Sequence, residues 1–144
     1  MLNDSELAEL EDVARRCRRD IVRMTHKAGS GHPGGSLSAI DALVVLYLRH
    51  MRVRPEDPLW HERDMFFLSK GHCTPAYYAA MAARGYVPHE ELLTFRAMGS
   101  RLQGHPSNTH LPGVDSSSGS LGQGLSLANG AALAARYEGL GARY

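Results

Sequence analysis

Arg63-Asp64-Met65-Phe66-Phe67-Leu68-Ser69-Lys70-Gly71-His72-Cys73-Thr74-Pro75 is the stretch on which the fold turns. Its centre, residues 65–69, is short, apolar and flanked by charge, the pattern of a strand buried on both faces of a parallel sheet. A glycine-histidine loop follows at the strand's carboxyl end, and the spacing after it predicts a helix from Thr74 to Arg84. A strand set between helices, with a loop of this kind at its carboxyl end, indicates an α/β fold whose ligand sits beyond the strand ends. We therefore expect the front part of an open, mostly parallel sheet with helices on both faces, helix-rich in this portion.

Upstream, Leu7, Leu10, Val13, Cys17, Ile21 and Met24 recur at three- and four-residue steps, which predicts a long helix. Asp4 or Ser5 is its expected cap, and Gly29 suits the left-handed turn that stops it after Ala28. Arg15, Arg16, Arg18 and Arg19 read as its solvated side. A second helix is expected from Ser36 or Ser38 to about Met51, apolar nearly all round between Leu37 and Leu48. Residues 52–64, broken by Pro55 and Pro58, read as a surface connection.

Downstream, Pro88 starts a helix expected to reach about Met98. Residues 99–119 lack periodicity, and a loop of that length inside a compact domain is usually functional. The last helix, about Leu121 to Tyr137, carries Gly122, Gly124, Ser126, Ala128 and Gly130 among other small residues, which predicts a tight helix contact.

Three histidines lie in glycine- or proline-punctuated loops: Gly31-His32-Pro33-Gly34-Gly35, Gly71-His72-Cys73-Thr74-Pro75 and Gly104-His105-Pro106. Histidine titrates near neutrality and exchanges hydrogen bonds with hydroxyls and phosphates. A fourth loop, Asp115 to Gly124, has so little side-chain bulk that its backbone can approach a ligand closely. Together the four loops predict a polar pocket for a phosphorylated, oxygen-rich ligand. The spacings disfavour zinc, since the chain has no Cys-x-x-Cys or His-x-x-x-His and His72 adjoins Cys73. Gly119-Ser120-Leu121-Gly122-Gln123-Gly124 is a poor dinucleotide fingerprint, because its glycines miss the required spacing.

The totals narrow the class. At 144 residues the chain fits one domain, and folding at this size buries roughly 70% of the unfolded surface. A net charge of +1 with scattered basic residues does not suit nucleic-acid binding. Two cysteines are too few for a disulfide framework and indicate a reducing, cytoplasmic setting. The acidic start, with Asp4, Glu6 and Glu9, does not read as a secretory signal, and no apolar run approaches the roughly 20 residues of a membrane helix.

Ser30-Gly31-His32-Pro33-Gly34-Gly35, Arg63-Asp64 through Leu68-Ser69-Lys70-Gly71-His72, Gly104-His105-Pro106 and Gly119-Ser120-Leu121-Gly122-Gln123-Gly124 resemble successive motifs of transketolase. The resemblance runs from about residue 10 to residue 140, in order. It implies a thiamine-diphosphate-binding fold and an enzyme of carbohydrate metabolism, of the pentose phosphate type, that moves a two-carbon ketol unit from a ketose phosphate to an aldose phosphate. It further implies that His32 and His105 are catalytic contacts to sugar oxygens and that His72 faces the cofactor diphosphate. By the same resemblance Gly119 offers its carbonyl to the aminopyrimidine, with Ser120 beside it, and Leu121 packs on the cofactor rings.

Two departures bear on what residues 1–144 do. Ser120 stands where the single-chain enzymes commonly have proline, which is similar to the split, two-subunit form and implies a C-terminal section as partner in a homo- or hetero-oligomer. The family's Gly-Asp-Gly motif and downstream Asn, which hold magnesium on the diphosphate, do not occur, so no metal ligand is expected in this chain and the magnesium ligands are expected beyond it. Residues 1–144 thus read as the N-terminal portion of a diphosphate-binding domain, cut before the metal-binding loop and inactive alone. The rival expectations are a non-catalytic interaction module, or a related thiamine-diphosphate enzyme with another acceptor, of the kind that makes deoxyxylulose phosphate.

Overall fold

The computed structural model describes residues 3–141 and 143. Helix α1 spans Asp4–Ala28. Its cap is Asn3, one residue earlier than the sequence suggested, because Asn3 and Glu6 form a reciprocal box. The Asn3 side chain accepts from the Glu6 N–H at 2.9 Å, and Glu6 Oε2 accepts from the Asn3 N–H at 3.0 Å. The helix stops at Gly29, in the left-handed region at φ 57°. Ala14, Cys17, Ile21 and Met24 are buried while Arg15, Arg16 and Arg19 face outward. Arg16 pairs with Asp12 on the same helix, and Arg18 reaches Asp41 at 2.5 Å.

The expected second helix is instead three short pieces. Pro33 at the first turn presets a helical φ, so α2 begins directly after His32 and spans Pro33–Leu37. Ser36 is therefore inside the helix, its hydroxyl donating back to the His32 carbonyl at 3.0 Å. After a bend at Ser38 and Ala39 the chain re-enters α3, Ile40–Val45, which widens into a π turn over Leu46–His50 closed by Met51 N–H to Leu46 O at 2.8 Å.

Helix α4, Thr74–Arg84, occupies the centre, with every residue from Thr74 to Met81 buried, and Gly85 ends it at φ 99°. Tyr47, Tyr77, Tyr78, Met81, Ile21 and Ile40 fill the space between α4 and its neighbours α1 and α3. Tyr77 lies 5.3 Å from Phe66 and 5.9 Å from Tyr47, both in edge or tilted geometry. The helix expected from Pro88 is a 3-10 run, His89–Thr94, that ends early because Phe95 turns extended and Arg96 adopts φ 61°. Residues 99–119 are irregular, as expected.

Helix α5 spans Gln123–Glu138 and starts after Gly122 at φ 86°, two residues later than anticipated. Its close approach is made at Gly124, where an added Cβ would lie 2.7 Å from Ser69 Cα. Ala135 is also buried, whereas Leu125, Leu133 and Tyr137 are exposed.

Residues 65–68 are irregular and Ser69 begins a bend, so among the described residues the expected strand is not assigned. A strand is defined by ladder bonds to a neighbour, and here the Met65 N–H donates to Arg143 O at 2.8 Å while the Phe66 N–H goes to the Asp115 side chain at 2.7 Å. Two apolar grooves of about 410 Å³ each flank the segment, one lined by Met65, Phe67, Leu125 and Ala128 and the other by Ala42, Leu43, Phe66 and Leu68. No helix among the described residues is long and apolar enough to cross a membrane.

Candidate active site

Three loops separated by some seventy positions of chain meet at one place. His32 ends the turn before α2, and His72 sits in the 3-10 turn Gly71–Cys73 that leads into α4. Their rings pack edge to face with centroids 5.0 Å apart. His105 comes from the 99–119 loop and meets Gly119, whose N–H in turn lies against Gly71, the residue before His72. An added Cβ on Gly119 would lie 3.7 Å from His105 Cδ2, so the fourth loop closes the pocket beside that imidazole.

Glycines make this approach sterically possible. A Cβ on Gly35 would lie 2.7 Å from Cys73 Sγ and 3.4 Å from His72 Nε2, so the His72 ring lies across bare backbone. A Cβ on Gly71 would lie 2.9 Å from the Ser118 carbonyl and hydroxyl oxygens and 3.0 Å from Gly119 N, so the serine-rich loop rests directly on the second histidine loop.

Hydrogen bonds fix the loops to one another. Lys70 Nζ donates to the Gly35 carbonyl at 2.9 Å and to Ser38 Oγ at 3.2 Å, joining the second loop to the first. Thr74 Oγ1 donates to the Gly104 carbonyl at 3.0 Å, and the Tyr78 hydroxyl to Gln103 O at 3.0 Å, joining α4 to the third. The Ser118 hydroxyl donates to Leu68 O at 2.9 Å, and the Gly122 N–H to Ser69 O at 3.1 Å, joining the fourth loop to the end of segment 65–69. Asp115, whose side chain is 3% exposed, accepts from Arg63 Nη2 at 2.5 Å and from the Phe66 N–H.

Imidazoles and the Lys70 ammonium set the local electrostatics. Partial burial, then the nearby His32, Lys70 and His105, hold the His72 imidazole below its ordinary range, so it is a neutral hydrogen-bonding group near pH 7. Two further imidazoles and one ammonium around it leave the pocket without a facing carboxylate in these contacts. Asp115 is spoken for by Arg63, although burial pushes its carboxyl up. Among the described residues no group of three or more His, Cys, Asp or Glu is placed to hold a metal.

The sequence thus pointed to His32, His72, His105 and Gly119, and the fold brings these four together. Ser120 follows Gly119 on the same exposed loop, and Leu121, 68% exposed, lies in the turn before α5. Lys70, Thr74 and Asp115 carry much of the loop docking and were not singled out. Lys70 lay in a quoted motif, but nothing local said that its ammonium reaches Gly35.

The three histidine loops and the serine-rich loop therefore meet at one place, beside the end of segment 65–69. The comparisons make the class specific. Residues 10–144 match the family model described as transketolase, thiamine diphosphate binding domain. A 6-deoxy-6-sulfo-D-fructose transketolase subunit of Clostridium sp. (strain MSTE9) is 44% identical over 132 residues, covering 92% of this chain and 48% of that protein. One of the apulose-4-phosphate transketolase subunits of Phocaeicola vulgatus is 39% identical, covering 92% of this chain and 47% of that one. Among solved structures, transketolase from Leishmania mexicana superposes with a TM-score of 0.81 at 36% identity, covering 87% of this chain and 19% of its own.

The chain belongs to the transketolase family, in its thiamine-diphosphate-binding domain, and thiamine diphosphate is the cofactor of that domain. It spans about half the length of the subunit-type relatives it matches.

Proposed function

We propose that this chain supplies the N-terminal part of an active site that transfers a two-carbon ketol unit from a ketose phosphate to an aldose phosphate. The observation that carries the reading is the convergence of His32, His72 and His105 over the Gly35, Gly71 and Gly119 backbone. The floor fits the cofactor. Gly119 presents its carbonyl and N–H without a side chain in the way, and Leu121 offers a large exposed apolar surface next to it.

In this reading His72 meets the diphosphate, the Gly119 carbonyl takes the aminopyrimidine's amine, and Leu121 packs on the rings with Ser120 between them. Thiamine diphosphate supplies the nucleophilic carbon and the electron sink for carbon-carbon cleavage. The chain's own part is positioning. His32 and His105 orient sugar hydroxyl and carbonyl oxygens and donate hydrogen bonds as negative charge develops there. Magnesium comes with the diphosphate, on ligands outside residues 1–144.

The relatives named as subunits support a split enzyme in which a C-terminal section, on a separate chain, completes the site. Segment 65–69, with an apolar groove on each side, is in this reading an inner strand of the parallel sheet. Cys17 and Cys73 are free and buried, which suits a cytoplasmic protein.

The test is ketol transfer by the full-length chain with its partner subunit, thiamine diphosphate and magnesium, against donors bearing phosphate or sulfonate. Transfer that falls at least a hundredfold in His32→Ala and His105→Ala agrees with the proposal. Cofactor binding without transfer to any acceptor refutes it.

A further inference from the structure

Arg96 is the only non-glycine residue with a left-handed backbone among the described residues, at φ 61°. Such a conformation persists only where the surroundings over-determine it, and it tends to mark functional positions. The surroundings here are the two loops that carry His32 and His105. The Arg96 N–H donates to Leu102 O at 2.9 Å, which curls the chain so that the guanidinium turns back over the third loop. A Cβ on Gly104 would lie 2.6 Å from Arg96 Nε and 2.8 Å from Nη2, so the guanidinium lies against the bare backbone of the residue before His105. From there Arg96 Nη1 donates to Ser30 Oγ, two residues before His32.

Phe95 does the same from beneath. It is 3% exposed, and a Cβ on Gly31 would lie 3.4 Å from its Cε1. Its ring sits 6.3 Å from that of Tyr78 on the central helix and 5.6 Å from the Arg96 guanidinium. Gly31 and Gly104 each immediately precede one of the two histidines, and each is the residue on which this dipeptide bears.

We propose that Phe95-Arg96 is a latch that fixes the separation of His32 from His105, with Arg96 as a positioning residue for the sugar-facing pair. The inference rests on the functional reading above. A planar guanidinium can lie on backbone and still reach Ser30, a geometry that a lysine ammonium does not reproduce. The His72 loop has its own ties, Lys70 to the Gly35 carbonyl and Thr74 to the Gly104 carbonyl, whereas Phe95-Arg96 bears on the residues that precede His32 and His105.

The experiment uses the full-length chain assembled with its partner, thiamine diphosphate and magnesium. Arg96→Gly accepts the left-handed backbone, so it removes the guanidinium without adding strain, and Ser30→Ala removes one hydroxyl should the glycine variant fold poorly. The expected result is a loss of about tenfold in kcat/KM for the ketose donor, the scale of a sub-ångström misplacement, with cofactor affinity within about twofold of wild type. Arg96→Lys should not restore the rate, and Ser30→Ala combined with Arg96→Gly should cost no more than Arg96→Gly alone. Wild-type kcat/KM in Arg96→Gly, or a parallel loss of cofactor affinity, overturns the latch. If the wild-type assembly transfers no ketol unit, the functional reading fails by itself. The latch is then judged on imidazole 15N signals, where Arg96→Gly should move His32 and His105, and unmoved His32 and His105 signals overturn it.

Discussion

Replacing Gly71 by alanine isolates the seat of the serine-rich loop. Gly71 has an ordinary backbone conformation, so the substitution adds no φ strain, and its consequence is steric. The new methyl would lie 2.9 Å from both Ser118 oxygens and 3.0 Å from Gly119 N, and two of those three atoms are backbone. Reaching ordinary contact distance requires the 118–119 segment to retreat by about 0.5 Å, because overpacked neighbours relieve strain by backbone shift. That retreat moves the Gly119 carbonyl and weakens Ser118 Oγ on Leu68 O, now 2.9 Å. Overpacking of this kind costs about 1–3 kcal/mol. For a chain of this size that is a melting temperature lower by roughly 2–10 °C. A half-ångström error at a positioned group costs about tenfold in turnover. The assay is differential scanning calorimetry together with cofactor titration and ketol-transfer kinetics on the assembled protein. Unchanged melting, cofactor affinity and kcat in Gly71→Ala would refute the claim that this glycine seats the fourth loop.

Three further outcomes follow from the same contacts. Asp115→Ala strands Arg63 and the Phe66 N–H, and a broken buried pair costs about 3–5 kcal/mol; equilibrium urea unfolding should show that loss, and a change under 1 kcal/mol would mean the pair is not buried as drawn. Because His72 is held below its ordinary value near 6.5, the unfolded chain binds more protons just below that pH. Its destabilising contribution is absent above about pH 6.5 and grows as pH falls toward the lowered native value, so His72→Gln should shrink the stability difference between pH 7.5 and 5.5 seen in urea midpoints, and an equal or larger difference would count against the depressed imidazole. Gly130→Ala, on an open helix face where an added Cβ meets nothing within 4 Å, should raise stability by about 0.5–1 kcal/mol, whereas a loss in thermal unfolding would show that the full-length protein buries this face.

Local signals carried much of the architecture. The apolar period from Leu7 to Met24, closed by Gly29, marked α1, and Thr74 to Arg84 before Gly85 marked α4. Glycine and proline around each histidine marked the loops that meet. What local reading missed depended on contacts across the chain. Nothing near Ser38 announced a bend, because the segment is apolar nearly all round and its helices are set by packing on α1 and α4. Arg96 carries no propensity for a left-handed backbone, and Leu102, Gly104 and Ser30 together hold it there. Asp115 looked like part of a loop without bulk, whereas Arg63 and Phe66 make it a buried anchor. The strand expected over residues 65–69 is not assigned among the described residues, because a ladder needs a partner strand that local sequence does not supply.

The central claim is that loops around residues 32, 72 and 105 form one cofactor-and-sugar pocket. The most direct measurement is a titration of the full-length protein, 15N-labelled at histidine, with thiamine diphosphate and magnesium, followed at the imidazole nitrogens. The account predicts that the His72 signals move on cofactor addition and those of His32 and His105 on adding a ketose phosphate. Movement of His72 with no response at His32 or His105 to any sugar phosphate would contradict it.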